Sequence, residues 1–213
     1  MKKLKIKITL TEFMLGMSPN NEDIYAEFIA SKAPDAPKME EEIESIGIDA
    51  VVEKGLTVFP RNENDEPIMW DYQMRGFFKD ACGMLSRVGG KDGNGKKAPK
   101  NESGKMRAFK KIIDGLIFVN PRQIVIHLPE GGEIDYYQRP LRAMTMQGER
   151  IALAISERIP AGSWMECEIV CLEDSHLAAV LEWLDYGQLR GIGQWRNSGA
   201  GRFTYEIIEM EEE

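Results

Sequence analysis

The sequence predicts an α+β fold in which helices cover one face of an antiparallel sheet. Several segments alternate apolar and polar residues with the two-residue period of a half-buried strand, and two others repeat apolar residues at helical spacing. A chain of 213 residues is long enough to bury a proper core. We therefore expect one elaborated domain spanning 1–213.

The alternation of apolar and polar residues in the predicted strands is the clearest pattern in the sequence. At the N-terminus the apolar residues are Leu4, Ile6, Ile8 and Leu10, and the residues between them include Lys3, Lys5 and Lys7. Residues 123–128 and 164–172 repeat the pattern, and Phe203 to Ile208 is the last predicted strand. Each of these strands should bury one face.

Two predicted helices supply the cover for the buried face. The helix from Asp71 to Val88 carries the stripe Met74, Phe77, Phe78, Ala81, Leu85 and Val88. The helix from Ser175 to Tyr186 carries Leu177, Val180, Leu181 and Leu184. Asp71 and either Asp174 or Ser175 suit the N-cap positions. A sheet with two helices on one face is the ferredoxin-like (RRM-like) layout, here elaborated by insertions.

Composition indicates a globular protein of the cytoplasm. The formal net charge is −8, and no apolar run approaches the roughly 20 residues of a membrane span. The three cysteines are an odd number, and Cys167 and Cys171 would lie about 13 Å apart on one strand, too far for a disulfide. We expect them in the core, and we expect no metal site and no cofactor.

A glycine-rich, basic segment near the C-terminus is the strongest candidate for a binding site. It contains two Gly-x-Gly pairs five residues apart, interleaved with Arg190, Arg196 and Arg202. Glycines allow backbone amides to approach a ligand, arginine suits phosphate, and Trp195 offers a stacking face. The order helix, loop, strand is the reverse of a P-loop or dinucleotide fingerprint. The alternative is a turn that only reverses the chain.

The segment, together with three others, resembles the RAMP superfamily, the repeat-associated proteins of CRISPR ribonucleoproteins. Gly-x-Gly, five residues and a second Gly-x-Gly before a basic residue and a strand are similar to the glycine-rich loop of that family. The other three segments, in the family's order, are the first strand running into residues 13–16, residues 67–79 with their Arg75-Gly76 pair, and residues 159–163 before a core strand. The closest resemblance is to the backbone-type RNA-binding subunits.

A basic stretch interrupts the acidic chain between Arg87 and Lys111. Glycines and a proline separate its lysines and arginines, and little apolar surface is present to offset the entropy of ordering. We expect a mobile basic insertion at about 89–108 that could close over phosphates. The alternative is a solubilising surface insertion.

The leading hypothesis is a non-catalytic protein that binds single-stranded nucleic acid, RNA in preference to DNA, along its phosphate backbone. The resemblance implies stacking of copies or of related subunits in a CRISPR-like ribonucleoprotein with a role in antiviral defence. The proposed contacts are Arg190, Gly191, Gly193, Gln194, Trp195, Arg196, Asn197, Gly199, Gly201 and Arg202 in the loop, Arg75 and Lys79 on a helix, and Lys96, Lys97, Lys105 and Arg107 in the basic insertion.

Two alternatives stay open. The acidic balance also suits a protein-interaction module, or a viral antagonist, that engages a CRISPR complex through the same fold without binding nucleic acid. An endoribonuclease is the third hypothesis, with only His127 and His176 available as histidines. His127 is predicted on a strand, and His176 in the first turn of a helix at the surface. We assign no catalytic residue.

Overall fold

A computed structural model describes residues 1–19, 56–91, 97–145 and 148–212, with side chains for 1–18, 56–89, 99–140 and 154–211. Its main sheet has four antiparallel strands: β1 (Lys2–Leu10), β8 (Ile117–Asn120), β12 (Trp164–Cys171) and β13 (Phe203–Glu212). Their order is β13-β1-β12-β8, so the first strand is central. With one helix after β1 and one after β12, this is the predicted ferredoxin-like arrangement.

The described residues form four α-helices, which are α1 (Asp71–Leu85), α2 (Glu102–Lys105), α3 (Phe109–Leu116) and α4 (Ser175–Arg190). The N-cap of α1 lies one residue earlier than predicted: it is Trp70, whose amide donates to Oε1 of Gln73 at 2.9 Å. Asp174 is the N-cap of α4 but makes no side-chain capping hydrogen bond. Val88 was wrongly placed on the buried stripe, since α1 ends at Leu85 and Val88 is 53% exposed.

The predicted strand faces are buried against α1 and α4. Leu4, Ile6 and Ile8 of β1 are fully buried, and Met165, Cys167, Ile169 and Cys171 of β12 alternate with half-exposed residues. The packing is tight where α4 crosses β13, because a Cβ on Gly187 would lie 2.3 Å from Cζ of Phe203. All three cysteines are buried and free, and Cys167 and Cys171 lie in the core as expected. Burial raises the pKa of the Cys167 thiol to about 12 and that of Cys171 to about 11.

A second sheet, which the sequence did not predict, lies beside the first. It consists of β10 (Asp135–Thr145), β11 (Gly148–Ile159), β4 (Leu56–Val58) and β3 (Ser18–Pro19) in that order, and β2 (Met14–Leu15) also pairs with β11. Two smaller pairs join β5 (Ile68–Trp70) to β9 (Gln123–Val125) and β6 (Gly89–Lys91) to β7 (Lys97–Pro99). The predicted strand 123–128 is therefore shorter than expected.

The second half of the predicted basic insertion packs on the core. Ser103 of α2 is fully buried, its amide and hydroxyl donate to Oε2 of Glu182, and it accepts a 2.9 Å hydrogen bond from the indole of Trp183. Before it, β6 and β7 pair in antiparallel register. The contacts of Ser103 attach α2 to α4. The mobility of the rest of the segment stays a prediction.

Candidate nucleic-acid interface

The glycine-rich loop connects the end of α4 to the start of β13 and folds onto itself. The amide of Gly191 donates to the carbonyl of Gly187, that of Ile192 donates to Gly201, and that of Gly201 donates to Phe13. The loop is therefore fastened to α4, to itself and to the segment after β1. Among the described residues, no carbonyl accepts from the amides of Gly193, Gln194 or Trp195.

The glycines at the two ends of the loop are explained by close approach of the backbone. Gly191 and Gly201 have φ of 79° and 73°, which glycine adopts without strain. A Cβ on Gly201 would lie 1.8 Å from the carbonyl oxygen of Ile192, and one on Gly191 would lie 2.4 Å from that of Ala200. The conformation of the loop requires glycine at these two positions. This agrees in part with the alternative that the segment is a turn that reverses the chain.

The three loop arginines are held by contacts within the protein. Nη1 of Arg196 donates to Oδ2 of Asp80 on α1 at 2.7 Å, and Nε of Arg190 lies 3.4 Å from the same oxygen. Arg190 also donates to Oδ1 of Asn197 at 2.6 Å. Nε of Arg202 donates to the carbonyl of Leu189 at 2.9 Å. One carboxylate thus serves two guanidinium groups, and a positive charge is left over at this end of α4.

Trp195 belongs to a row of three aromatic rings that crosses from the loop to the second sheet. Its ring centroid lies 5.4 Å from that of Tyr137 on β10, and Tyr137 lies 5.3 Å from Phe13. Trp195 is 37% exposed, and the other two are half-buried. We call Phe13, Tyr137 and Trp195 the aromatic row. Rings that are packed on one side and open on the other are suited to stacking with bases.

Two guanidinium groups lie against the aromatic row. Arg139 is 5.5 Å from the centroid of Trp195, and Arg158 is 5.5 Å from that of Tyr137. Arg158 also forms a two-pronged ion pair with Asp135, which lowers the pKa of that carboxyl group and raises that of the guanidinium. Desolvation by burial lowers the pKa of Arg139. Cationic groups and aromatic faces therefore alternate over one surface.

Arg139 and its neighbours in this surface were missed at the sequence level. Asp135, Tyr137 and Arg139 point to one face of β10 because they are two residues apart, and the register pairs them with Arg158, Ser156 and Ala154 of β11. The sequence signal that could have placed these residues on one face was the two-residue spacing of Tyr137 and Arg139. Their approach to Trp195 depends on the pairing of β10 with β11 and of β11 with β2, which no local pattern reveals.

The remaining predicted contacts are distributed over the molecule. On α1, Arg75 pairs with Asp71 at 2.7 Å and Lys79 pairs with Asp114 at 2.5 Å. Lys105 pairs with Glu102 at 2.6 Å. Lys96 lies outside the described residues, and Lys97 lies in β7, where side chains are not described.

Lys105 and Arg107 lie at the opposite end of α4 from the glycine-rich loop. Together with His176 they line an open pocket of about 490 Å³ at the start of that helix. Helix α4 is sixteen residues long, so its ends lie about 22 Å apart at a rise of 1.5 Å per residue. The contacts predicted for the glycine-rich loop and those predicted for Lys105 and Arg107 therefore lie in two separate places. Glu102 and Glu173 also line the pocket, so its formal charges balance.

The two histidines occupy separate environments. His176 is in the first turn of α4 but only 7% exposed, so the surface location predicted for it is wrong. Its Nε2 lies 3.6 Å from Glu173. His127 forms an isolated bridge with Trp164 and stacks on its ring at 4.1 Å.

The open face of the main sheet carries the lysines of β1, as expected from the central position of that strand. Lys3 lies 3.6 Å from Glu211 and Lys5 lies 3.9 Å from Glu166, so glutamates of both neighbouring strands offset their charge. The Lys7 ammonium lies 4.5 Å from the centroid of Trp164. This face is electrostatically mixed, which does not favour phosphate binding.

Two kinds of feature are absent from the described residues. None of the helices in those ranges is long and apolar enough to cross a membrane. In the same ranges, no group of three or more histidine, cysteine, aspartate or glutamate side chains is placed to hold a metal ion.

Comparisons with known proteins find similarity at the level of structure. The sequence matches no family model and no curated protein. A chain of a Type III-B Cmr-beta complex bound to cognate target RNA aligns over 99% of this chain with 9% identity and a TM-score of 0.49. A chain of a Type IV-B CRISPR complex aligns over 97% of this chain with 11% identity and a TM-score of 0.43. This chain spans 60% of the first and 90% of the second.

Proposed function

We propose that this protein binds single-stranded nucleic acid, RNA in preference to DNA, on the surface formed by the aromatic row and the glycine-rich loop. The observation that carries this proposal is the alternation of three partly exposed rings with two guanidinium groups at 5.5 Å, beside a loop with a surplus positive charge. Stacking accepts any base, and guanidinium groups contact phosphates without reading sequence. Binding of this kind is non-catalytic and independent of sequence.

Within this proposal the protein is a subunit of a CRISPR-like ribonucleoprotein, in which copies or related subunits stack along one RNA. The support is the resemblance of the glycine-rich loop and three other segments to RAMP subunits. A complex of this kind should grow in mass with the length of the RNA. Light scattering of the protein with single-stranded RNAs of increasing length measures that growth.

The test of the binding surface is Trp195→Ala, with Tyr136→Ala as the matched control. Tyr136 is also an exposed aromatic residue, 64% exposed, but as the neighbour of Tyr137 in β10 it points to the other face. We expect Trp195→Ala to weaken binding of labelled single-stranded RNA by about 1–3 kcal/mol, the usual loss for one stacked base. Tyr136→Ala should bind as the wild type does.

Anisotropy titrations at several salt concentrations measure the affinity of each variant for RNA. Circular dichroism verifies that each variant is folded. Equal affinities for Trp195→Ala and wild type, with both folded, would remove the aromatic row from the binding surface. Wild-type protein that does not bind RNA even at low salt would refute the proposed function itself. A parallel titration with DNA of the same sequence tests the preference for RNA.

A second candidate function, a protein-interaction module, is favoured by the outer edge of the main sheet. Strand β13 is an edge strand on which Ile207, Ile208 and Met210 are 44–47% exposed. Apolar residues beside unpaired backbone groups are typical of surfaces that accept a partner's strand. This candidate predicts a nucleic-acid-free protein that forms a stable complex with a purified CRISPR effector subunit.

A further inference from the structure

Among the residues that the structure describes, Arg139 is a buried cation without an anionic partner. It is 7% exposed, and among the described residues no carboxylate lies within ion-pair distance of it. The fold does provide a carboxylate for other partly buried arginines: Glu157 for Arg61, Asp135 for Arg158, and Asp80 for Arg196. Buried charges in proteins are ordinarily paired, because removing an ion from water without compensation is costly.

The hydrogen bonds of Arg139 leave one edge of its guanidinium group poorly occupied. Nη1 donates to Oγ of Ser156 at 3.0 Å, and that hydroxyl is also 2.7 Å from Oγ1 of Thr57. Nη2 donates to Oε1 of Gln194 at 3.0 Å, and Nε has no partner. Nε and Nη2 form the side edge of the planar group, which binds an oxyanion with two parallel hydrogen bonds. Only a neutral amide oxygen is present at that edge.

The residue that covers this edge belongs to the glycine-rich loop. Gln194 lies between Gly193, with φ of 87°, and Trp195, with φ of 56°. A left-handed conformation is unusual for a bulky residue such as tryptophan, and backbone strain of this kind concentrates at functional sites. The Gln194 side chain is half-buried and is not part of the hydrophobic core.

We propose that the Nε–Nη2 edge of Arg139 is an oxyanion site, at which a phosphodiester group of the bound strand replaces the Gln194 amide oxygen. The neighbouring base then stacks on Trp195, whose ring lies 5.5 Å from the guanidinium carbon. The choice of a nucleic-acid phosphate as the oxyanion rests on the proposed function. The presence of an anion site rests on the unpaired buried cation alone.

The sharpest test is Gln194→Glu, which places a carboxylate where the amide oxygen now lies. We expect this variant to melt about 2–4 °C higher than the wild type, because the new carboxylate pairs with the buried guanidinium group. It should bind single-stranded RNA roughly 10- to 100-fold more weakly, the range for loss of charge-assisted hydrogen bonds. The internal carboxylate competes with phosphate for the same edge.

The matched control is Gln138→Glu, which makes the same chemical change one residue from Arg139. Gln138 is exposed and points to the other face of β10. Gln138→Glu should change the melting temperature and the RNA affinity by only a small fraction of the changes that Gln194→Glu produces. A second variant, Arg139→Met, should weaken RNA binding while keeping or raising the melting temperature, because an apolar side chain of similar length carries no desolvation cost.

Inorganic phosphate separates failure of this site from failure of the proposed function. Phosphate should raise the melting temperature of the wild type more than that of Gln194→Glu, whether or not the protein binds RNA. If the wild type binds RNA and Gln194→Glu binds it equally well, the Arg139 site is refuted and the proposed function stands. If the wild type ignores RNA but shows the phosphate effect, the anion site stands and its ligand is not a nucleic acid. Equal phosphate effects in both proteins overturn the site.

Discussion

Replacing Asp80 by asparagine should make the protein less stable and a stronger binder of RNA. The Asp80 carboxylate lies 2.7 Å from Arg196 and 3.4 Å from Arg190, and the three side chains are 21–29% exposed. Removing the partner of a buried charge lowers the free energy of unfolding by about 3–5 kcal/mol. Removing the partner of an exposed charge lowers it by about 0–1 kcal/mol. At this intermediate burial we expect about 2 kcal/mol, which lowers the melting temperature by about 4–8 °C.

The gain in binding follows from the two arginines that the substitution releases. Each released guanidinium that contacts a phosphate steepens the dependence of log affinity on log salt by about 0.7 for a single strand, so two steepen it by about 1.4. The assay is an anisotropy titration at four or more salt concentrations, with thermal melting of the same samples. Glu130→Gln removes the same charge from an exposed loop position and is the control.

The predicted gain in binding is refuted if Asp80→Asn melts lower but binds RNA with the affinity and salt dependence of the wild type. Arg190 and Arg196 would then serve only to attach the loop to α1. The phosphate contacts would then be confined to Arg139 and Arg158, beside the aromatic row. An unchanged melting temperature would mean instead that the shared carboxylate contributes nothing to folding.

Other predictions concern the loop and the buried thiols. Gly201→Ala should unfold at a markedly lower temperature, because its Cβ would lie 1.8 Å from the Ile192 carbonyl oxygen, and a melt indistinguishable from wild type would contradict the loop geometry. An aromatic disulfide reagent at pH 8 should titrate no thiol in the native protein and three in denaturant, because Cys82, Cys167 and Cys171 are buried. Burial raises the pKa values of the Cys167 and Cys171 thiols to about 12 and 11. The stability that comes from keeping these thiols neutral is therefore present below pH 9 and is lost as pH rises through those values. Chemical denaturation between pH 8 and 11 measures this loss.

The fold was predictable to the extent that local periodicity determined it. The alternation of β1 and β12 and the stripes of α1 and α4 were enough to predict a sheet with helices on one face. The second sheet could not be predicted in this way, because β2, β3 and β4 are two or three residues long and have no period to detect. Their identity as strands comes from pairing with the long hairpin of β10 and β11.

The candidate loop could be identified from the sequence, but its contacts could not. Glycine spacing and Trp195 singled out the loop, and the structure places it beside Tyr137 and Arg139. Its binding of nucleic acid stays a prediction. The contacts of its arginines within the protein were not predictable. Asp80 is 110 residues from Arg190 in sequence, and the two meet only because α1 packs against α4. Arg139 was missed for the same reason, since its burial results from the strand register and from contact with Gln194.

The edge strand β13 also has a consequence for how the protein behaves in solution. Its exposed Ile207, Ile208 and Met210 lie among Glu206, Glu209 and Glu211, and a bulge interrupts its pairing with β1. Repulsion between carboxylates and an irregular backbone both discourage two such edges from joining. Acidification neutralises the carboxylates and leaves the apolar side chains, so the folded protein should precipitate in mild acid before it denatures, and added salt should worsen the precipitation.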